Sequence, residues 1–219
     1  MIRSLRPLLL AAACTTLLVT ACGDAADTPT VDQAGTGECA PADGSAAQQR
    51  TFDELPQLCL KDGKTYKATI ETTQGTLDVL LRADIAPNTV NSFVNLARFH
   101  YFDDTTCHRA IQGFVVQCGD PTATGSGGPG YEFDDELGAI EPYRIGSVAM
   151  ANSGPNTNGS QFFIITGDAG AALPPSYTLF GQVEDDDLGV VVALDSVANP
   201  ADGPPLQPID IISITITEQ

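Results

Sequence analysis

The sequence predicts a mainly β fold, a closed antiparallel barrel capped by two α-helices. Three observations support this prediction: many short segments alternate between apolar and polar residues, two segments have helical periodicity, and no internal repeat is present. The chain has 219 residues and 42% hydrophobic side chains, which is enough to bury a full core. One domain preceded by a tail therefore fits the chain better than two small domains.

The predicted strands are short and are separated by turn residues. YKATIET and TLDVLLR flank Gln74-Gly75 and form a predicted hairpin, in which Leu77, Val79 and Leu81 share one face. A second predicted hairpin joins CHRAI to FVVQCG around Gln112-Gly113. Further strands are predicted for SVAMA, SQFFIIT, YTLFGQV and the closing segment IDIISITI.

Two helices are predicted between these strands. The first covers Asn88 to Arg98 and follows Pro87, a residue that suits the first helical turn. Its apolar residues follow helical spacing and are interpreted as core; they are Val90, Phe93, Val94 and Ala97. The second helix is predicted from about Asp187 to Val197.

The charge of the chain excludes one class of partner. Lysine and arginine total 10 against 28 aspartates and glutamates, a formal net charge of −18. A phosphate backbone would be repelled, so nucleic acid is not an expected partner. The acidic surface is interpreted as a solvated face that favours solubility.

The N-terminus is predicted to be a signal peptide, residues 1–21. Arg3 and Arg6 form a basic region, and Leu8 to Leu18 form an apolar run shorter than the roughly 20 residues that span a bilayer. The following letters VTAC resemble a bacterial lipobox, in which Cys22 becomes the lipid-modified first residue of the mature protein. Plain secretion, with Cys22 as an unmodified thiol, is the alternative.

Two further segments are expected between the signal peptide and the domain. Residues 22–38 are small, polar and acidic without apolar periodicity, and they are interpreted as a flexible tether. A flexible chain of about 16 residues spans roughly 20 to 25 Å, enough to hold a domain off a membrane. Residues 39–65 are predicted to form an N-terminal extension that contains a disulfide.

The cysteines indicate an oxidising compartment. Without Cys14 and Cys22, four remain and allow three pairings; they are Cys39, Cys59, Cys107 and Cys118. The predicted hairpin would bring Cys107 close to Cys118, so this pair and Cys39 with Cys59 are the favoured disulfides. A metal site is the rival interpretation, but neither pair has CxxC spacing and the chain has two histidines. No metal and no cofactor is therefore expected.

The most informative segments are AMANSGPNTNGSQFF, Ala149 to Phe163, and CHRAIQGFVVQCGD, Cys107 to Asp120. They alternate polar and apolar side chains, which is typical of a shallow pocket that binds one apolar group and one amide. The intervening loop PTATGSGGPGYEFDDE is rich in glycine but lacks the lysine of a P-loop, so it is interpreted as structural.

Both segments match motifs of the cyclophilin family of peptidyl-prolyl cis-trans isomerases, and the chain resembles that family from about Tyr66 to Ile216. It is similar, more narrowly, to secreted bacterial cyclophilins with two cysteines around the catalytic arginine. The resemblance implies a domain at residues 66–219 with an eight-stranded barrel and one helix at each end.

The resemblance also implies the roles of the site residues. Arg109 is expected to be the catalytic donor, with Gln117 holding it and Asn152 binding the substrate backbone. The proline pocket is expected to be lined by Phe114, Val115, Ala151, Phe163 and Leu173. Gln161 would orient the chain, and Tyr177 stands where eukaryotic members have a histidine. Ala172 stands where many members have tryptophan. Val115 stands where a methionine is common, and the pocket is expected to be smaller on one side.

The chemistry of prolyl isomerisation fits these roles. The peptide C–N barrier of about 18 to 20 kcal/mol comes from resonance, so a catalyst must favour the twisted state in which resonance is lost. A fixed donor near the prolyl nitrogen lowers this barrier, and an arginine guanidinium offers several donors in one plane. His108 could suggest a general base, but no proton is transferred, so it is interpreted as a packed, hydrogen-bonded side chain.

The sequence therefore predicts an exported isomerase, lipid-anchored through Cys22 and monomeric, that acts on X–Pro bonds in proteins folding outside the cytoplasm. Its partners would be proline-containing segments of unfolded or folding proteins. Two rival hypotheses are a non-catalytic module that binds proline peptides at the cell envelope, and a structural envelope lipoprotein. Arg109→Ala would separate the catalyst from the binding module.

Overall fold

The computed structural model describes residues 34–138 and 141–219, and its main feature is one nine-stranded antiparallel sheet. The strands are β1 Tyr66–Thr72, β2 Gly75–Leu81, β3 Thr105–Thr106, β4 Arg109–Ile111, β5 Val115–Cys118, β6 Ser147–Met150, β7 Phe162–Ile165, β8 Leu179–Val183 and β9 Asp210–Glu218. The helices are α1 Pro87–Arg98, the short α2 Asp168–Ala171, and α3 Leu188–Ser196, with a 3-10 turn at Asp185–Asp187 before α3.

The prediction of a closed eight-stranded barrel is not confirmed for the described residues. The sheet is open, with strand order β3-β9-β1-β2-β8-β6-β7-β5-β4, so β3 and β4 are its two edges. The sheet curls because these edges are successive pieces of one chain segment. The segment changes partner at Cys107 and His108: Thr105 and Thr106 pair with β9, whereas β4 pairs with β5. The mainly β antiparallel class is confirmed.

Helix α1 is buried along its whole length, including its polar residues. Its core side packs on the sheet, and residues 34–65 cover the opposite side. The main-chain N–H of Ala40 donates to Oδ1 of Asn95 at 2.7 Å, and that of Cys59 donates to Oδ1 of Asn91 at 2.7 Å. The Cys39–Cys59 disulfide ties these two contact points together. The N-terminal extension is thus packed against the domain.

The N-terminus of α1 is capped by a residue far away in sequence. Ala86 at the N-cap offers no side-chain acceptor, and the first turn contains no acidic residue. Glu136 supplies the acceptors instead: Oε1 accepts from the N–H of Asn88 at 3.0 Å, and Oε2 accepts from the N–H of Thr89 at 2.8 Å. The segment that follows the glycine-rich loop is therefore fixed to the helix.

Replacing this cap is expected to destabilise the domain. Glu136→Ala should lower the free energy of unfolding by about 1 to 2 kcal/mol, because two helix N–H groups lose a charged acceptor. Urea unfolding of the variant measures this loss. Glu132→Ala, an exposed glutamate four residues earlier, is the matched control and should change stability by less than about 0.5 kcal/mol. Equal losses in both variants would contradict the capping role.

The sheet separates two apolar clusters. The larger lies inside the curl and includes an aromatic group in which Phe93 meets Phe102, Phe162 and Phe180 at centroid distances of 5.1, 5.6 and 5.1 Å. The smaller cluster lies on the opposite face of β5, β6 and β7 and contains Val115, Tyr143, Ala149, Phe163 and Ile165. Alternation along these strands explains the separation, because successive side chains point to opposite faces.

Several predictions on the N-terminal region fall outside the described residues. The signal peptide, Cys22 and most of the tether belong to residues 1–33. The last tether residues are described: the N–H groups of Gly35 and Gly37 donate to the carbonyls of Pro56 and Leu55 at 2.9 and 3.0 Å. Within residues 34–138 and 141–219, no helix is long and apolar enough to cross a bilayer.

Candidate active site

The strand register places three of the predicted site residues in one row. Arg109 on β4 is directly opposite Gln117 on β5, Gln117 is opposite Phe163 on β7, and Phe163 is opposite Ala149 on β6. Residues that pair directly across antiparallel strands point to the same face of the sheet. A guanidinium, an amide and an aromatic ring therefore stand side by side on the face opposite the main core.

We call the apolar cluster around Phe163 the apolar pocket. Val115 and Phe163 are buried in it, while Phe114, Leu173 and Tyr177 are partly exposed around them. The rings of Phe163 and Tyr177 meet edge to face, with centroids 5.3 Å apart and planes at 88°. Such a pocket can receive a small ring such as that of proline.

Tyr177 is held by a residue that the sequence analysis did not identify. The hydroxyl of the buried Tyr143 donates to the carbonyl of Tyr177 at 2.6 Å and accepts from its N–H at 3.0 Å. Tyr143 also packs on the smaller apolar cluster. These contacts fix the backbone that presents Tyr177 to the pocket.

Arg109 has three neighbours that restrain its guanidinium. Nε and Nη2 donate to the two carboxylate oxygens of Asp202 at 2.7 and 2.9 Å, and Oε1 of Gln117 lies at 3.5 Å from Nη1. Cζ lies 5.9 Å from the centroid of the Phe114 ring, within range of a cation–π contact. The hydrogen bonds with Asp202 raise the pKa of Arg109 and lower that of Asp202, so both groups stay charged.

Gln117 connects the arginine to the other side of the site. Its Nε2 donates to Oε1 of Gln161 at 2.9 Å, and Nε2 of Gln161 donates to the carbonyl of Gly127 at 3.0 Å. These two hydrogen bonds fix the orientation of both side-chain amides, because in each amide Nε2 must face an acceptor. Gln117, which the sequence places beside Arg109, is therefore fixed chiefly through Gln161.

A groove of about 640 Å³ adjoins the apolar pocket. Its walls include four of the predicted site residues, Gln117, Ala151, Asn152 and Gln161, together with the glycine-rich loop from Gly125 to Gly130. Ala151 is positioned by its N–H, which donates to the carbonyl of Gln161 at 2.9 Å. The groove gives an extended peptide room beyond the apolar pocket.

The glycine-rich wall of this groove is organised by Asp120, which the sequence analysis did not single out. Its fully buried carboxylate accepts hydrogen bonds from main-chain N–H groups of Thr122, Thr124, Gly125 and Gly127. Burial works against ionisation, but the hydrogen bonds outweigh it and hold the pKa of Asp120 well below its usual range. At Gly127 a Cβ would lie 2.0 Å from Oδ1 of Asp120, which explains the glycine.

Asn152 lines the groove and follows Ala151, which also packs against the apolar pocket. Its Nδ2 donates to Oδ1 of Asp135 at 3.3 Å, and its Oδ1 accepts from the N–H of Gly154 at 3.3 Å. Asp135 also accepts from the N–H of Asn156 at 2.8 Å and from Nδ2 of Asn158 at 2.9 Å. The side chain of Asn152 therefore helps to shape the loop that follows it.

His108 differs from its predicted state in one respect. The ring is packed, but its buried Nδ1 makes no hydrogen bond within the described residues. Burial lowers the pKa of His108, so the neutral ring is favoured. In residues 34–138 and 141–219, no group of three or more histidine, cysteine or acidic side chains could hold a metal ion.

The Cys107–Cys118 disulfide lies directly beside the row of Arg109, Gln117 and Phe163, because each cysteine is within two residues of Arg109 or Gln117. Both favoured disulfides are thus present. Cys107 and Cys118 belong to the main core, on the face opposite Arg109. The bond joins the segment before β4 to the end of β5 and braces the two strands that carry the arginine and the glutamine.

Removing this bond should affect both stability and rate. Changing Cys107 and Cys118 to serine is expected to lower the free energy of unfolding by about 3 kcal/mol, as the loss of a short cross-linked loop predicts. The activity that the resemblance implies, isomerisation of X–Pro peptides, should fall about threefold to tenfold, because β4 and β5 lose a brace beside Arg109. Urea unfolding and peptide rates measure the two effects.

The matched control changes Cys39 and Cys59 to serine. This bond closes a separation of 20 residues in the N-terminal extension and should cost a similar amount of stability. Because it lies against α1, the rate should stay within about twofold of the wild type. Equal rate losses in both variants would contradict a specific role for the Cys107–Cys118 bond.

The comparisons with known proteins agree on one family. The family model described as cyclophilin type peptidyl-prolyl cis-trans isomerase matches residues 67–216. A probable peptidyl-prolyl cis-trans isomerase A of Mycobacterium leprae is 42% identical over 170 residues, which cover 68% of this chain and 91% of the relative. A probable isomerase B of the same organism is 40% identical over 173 residues, which cover 71% of this chain but 58% of that relative's length.

A solved structure also matches the fold. The crystal structure of a Cryptosporidium parvum cyclophilin type peptidyl-prolyl cis-trans isomerase, determined in the presence of the dipeptide Ala-Pro, superposes with a TM-score of 0.62 at 34% identity. The match covers 70% of this chain and 99% of that one. Taken with the arginine, the glutamine and the apolar pocket in one row, these findings lead to one conclusion: the chain belongs to the cyclophilin-type peptidyl-prolyl cis-trans isomerase family.

Proposed function

We propose that the protein accelerates cis–trans isomerisation of X–Pro bonds in proteins that fold outside the cytoplasm. The observation that carries the activity is the row in which Arg109 stands beside Gln117 and Phe163. This row sets a fixed cationic donor next to an apolar pocket. The members of the family to which the chain belongs are named for this reaction.

The reaction needs no covalent bond to the enzyme. As the peptide C–N bond twists, resonance is lost and the prolyl nitrogen gains a lone pair that can accept a hydrogen bond. An N–H of Arg109 would donate to this nitrogen more strongly in the twisted state than in the planar ones, and this difference lowers the barrier. The pair with Asp202 keeps the guanidinium in place before the substrate arrives.

The pocket and the groove would divide the binding of the substrate between them. Phe163 and its neighbours would hold the proline ring, so that the carbonyl side of the X–Pro bond rotates while the ring stays fixed. Ala151 and Asn152 would bind the adjacent peptide backbone, and the 640 Å³ groove would receive a neighbouring residue. The Cryptosporidium relative was determined with Ala-Pro, which supports a dipeptide as the smallest unit to test.

The proposed location rests on the N-terminal sequence and on the disulfides. Arg3, Arg6, the apolar run and the letters VTAC favour export and lipid attachment at Cys22. Two disulfides suit an oxidising compartment outside the cytoplasm. The protein would act there as a monomer that is anchored to the outer side of the cell membrane.

Cell fractionation tests the location separately from the activity. The wild-type chain should appear in the membrane fraction, and the mass of its N-terminal peptide should show a lipid on Cys22. The variant Cys22→Ala should lose the lipid. A wild-type chain in the cytoplasmic fraction with an intact N-terminus would overturn the export proposal and leave the activity to be judged by peptide rates.

A further inference from the structure

The carboxylate of Asp202 reaches Arg109 from a loop bound to the free edge of β4. This loop leaves α3 and passes Asn199, whose N–H donates to the carbonyl of Ala110 at 2.9 Å. The N–H of Ala110 donates to the carbonyl of Gly203 at 3.0 Å. Asp202 therefore lies between two points at which the loop is hydrogen-bonded to the residue next to Arg109.

The loop also has internal hydrogen bonds. Oδ1 of Asn199 accepts from the N–H of Ala201 at 3.0 Å, and Nδ2 of Asn199 donates to the carbonyl of Pro204 at 3.1 Å. An exposed ion pair commonly contributes little because both side chains must be ordered at an entropic cost. Here the backbone that carries the aspartate is already fixed, and the aspartate side chain is short. The hydrogen bonds of the loop therefore fix the position of Asp202, and little entropy is lost when it pairs with Arg109.

The ion pair with Asp202 uses only some of the N–H donors of Arg109. A guanidinium has five N–H groups in one plane. Asp202 takes the edge formed by Nε and Nη2 with both carboxylate oxygens, at 2.7 and 2.9 Å. Gln117 is close to Nη1 at 3.5 Å, and the ring of Phe114 lies 5.9 Å from Cζ. The end of the guanidinium between Nη1 and Nη2 retains donors for a substrate.

We propose that Asp202 is a positioning residue for the reaction: it fixes the guanidinium plane so that the Nη1–Nη2 end of Arg109 points to the prolyl nitrogen. This inference rests on the proposed isomerase function. Asp202 acts through Arg109 and does not touch the substrate. A carboxylate on a fixed loop removes rotations about the last bonds of the arginine that a catalyst would otherwise restrict in each turnover.

A double-mutant cycle on the full-length protein tests this inference. Asp202→Asn keeps the size of the side chain and removes its charge, and Arg109→Ala removes the group on which Asp202 acts. With X–Pro peptides, Asp202→Asn should lower kcat by about tenfold and leave KM within about twofold. In the Arg109→Ala background the same change should have no further effect, because the residue to be positioned is absent.

Two further variants sharpen the result. Asp202→Glu keeps the charge and should recover part of the lost kcat. Asp186→Asn removes one negative charge from an exposed residue of the 3-10 turn before α3 and should leave kcat unchanged. A kcat of Asp202→Asn equal to that of the wild type, or an equal loss with and without Arg109, would overturn the positioning role.

A spectroscopic measurement separates this inference from the proposed function. In ¹⁵N-labelled protein, the Nε–H of Arg109 should give a sharp signal that is protected from solvent exchange, and Asp202→Asn should broaden it or speed its exchange. A wild-type protein without isomerase activity would refute the proposed function. An unchanged Nε–H signal in Asp202→Asn would refute the restraint of Arg109, whether or not the protein is active.

Discussion

Arg109→Ala is expected to lower kcat/KM on X–Pro peptides by a hundredfold or more, about the effect of removing a preorganised donor from a transition state. The loss should fall mainly on kcat, because the guanidinium bonds to the prolyl nitrogen chiefly when the peptide bond is twisted. Peptide binding should weaken only modestly, since the apolar pocket around Phe163 remains. Exchange rates and binding constants measured by NMR on the same peptide give both quantities.

Arg109→Lys is the informative companion variant. It keeps the positive charge but cannot present two N–H groups to Asp202 while pointing further donors at the substrate. We expect it to recover little of the lost rate. Both variants should fold, because Arg109 is partly exposed and contributes nothing to the main core. A fully active Arg109→Lys would show that charge alone suffices and would contradict the geometric role of the guanidinium.

Asp120→Asn is expected to lower the free energy of unfolding by about 3 kcal/mol, as much as the loss of a disulfide and more than Glu136→Ala. The buried carboxylate accepts from several N–H groups at once, and an amide would turn two donors towards them. The loop that forms one wall of the groove would lose its organising group, and Gln161 would lose a fixed partner at Gly127. Urea unfolding and peptide rates should therefore both respond.

The acid dependence of stability gives this prediction a definite sign. The pKa of Asp120 in the fold lies below its ordinary value of about 3.9. The stabilisation is thus fully present above that ordinary value and is lost as pH falls towards the pKa of the folded state. Asp120→Asn should flatten this part of the profile. Asp62→Asn, an exposed control, should leave it unchanged, and equal profiles for wild type and Asp120→Asn would contradict the account.

Local patterns in the sequence predicted most of the secondary structure. The two predicted strands of the first hairpin match β1 at both ends and β2 within one residue. They were predictable because apolar alternation and the turn at Gln74-Gly75 are local features of the sequence. Helix α1 begins at Pro87 and ends at Arg98, as its apolar spacing and the proline predict. Strand β3 and helix α2 were not predicted, because with two and four residues they are too short to show an apolar periodicity.

Local patterns could not predict that the sheet stays open. A closed barrel would need Thr105 to Ile111 to form one strand that pairs with β9 on one side and with β5 on the other. In the structure the segment divides instead, and each half pairs with only one of these two strands. The free edge of β4 is covered by the loop at Asn199 and Gly203. The pairing with β9 joins residues more than 100 positions apart, and nothing in the segment itself indicates it.

The site residues that belong to the two sequence motifs were predicted, whereas those that act through contacts distant in sequence were not. Arg109, Gln117 and Phe163 belong to the quoted motifs, and the register brings them into one row. Asp202 is separated from Arg109 by 93 residues and lies in a loop rich in proline and glycine. Nothing in the sequence near either residue indicates that they form an ion pair. An acidic residue in a short loop is a common surface feature and does not point to a particular partner.

Isomerase activity is tested most directly by the exchange rate between the cis and trans forms of a short X–Pro peptide, measured by NMR with a small amount of the oxidised protein. We expect exchange that is accelerated in proportion to enzyme concentration, and an acceleration at least a hundredfold smaller with Arg109→Ala. A folded wild-type protein that binds the peptide but leaves the exchange rate unchanged would contradict it and would identify the chain as a proline-binding module.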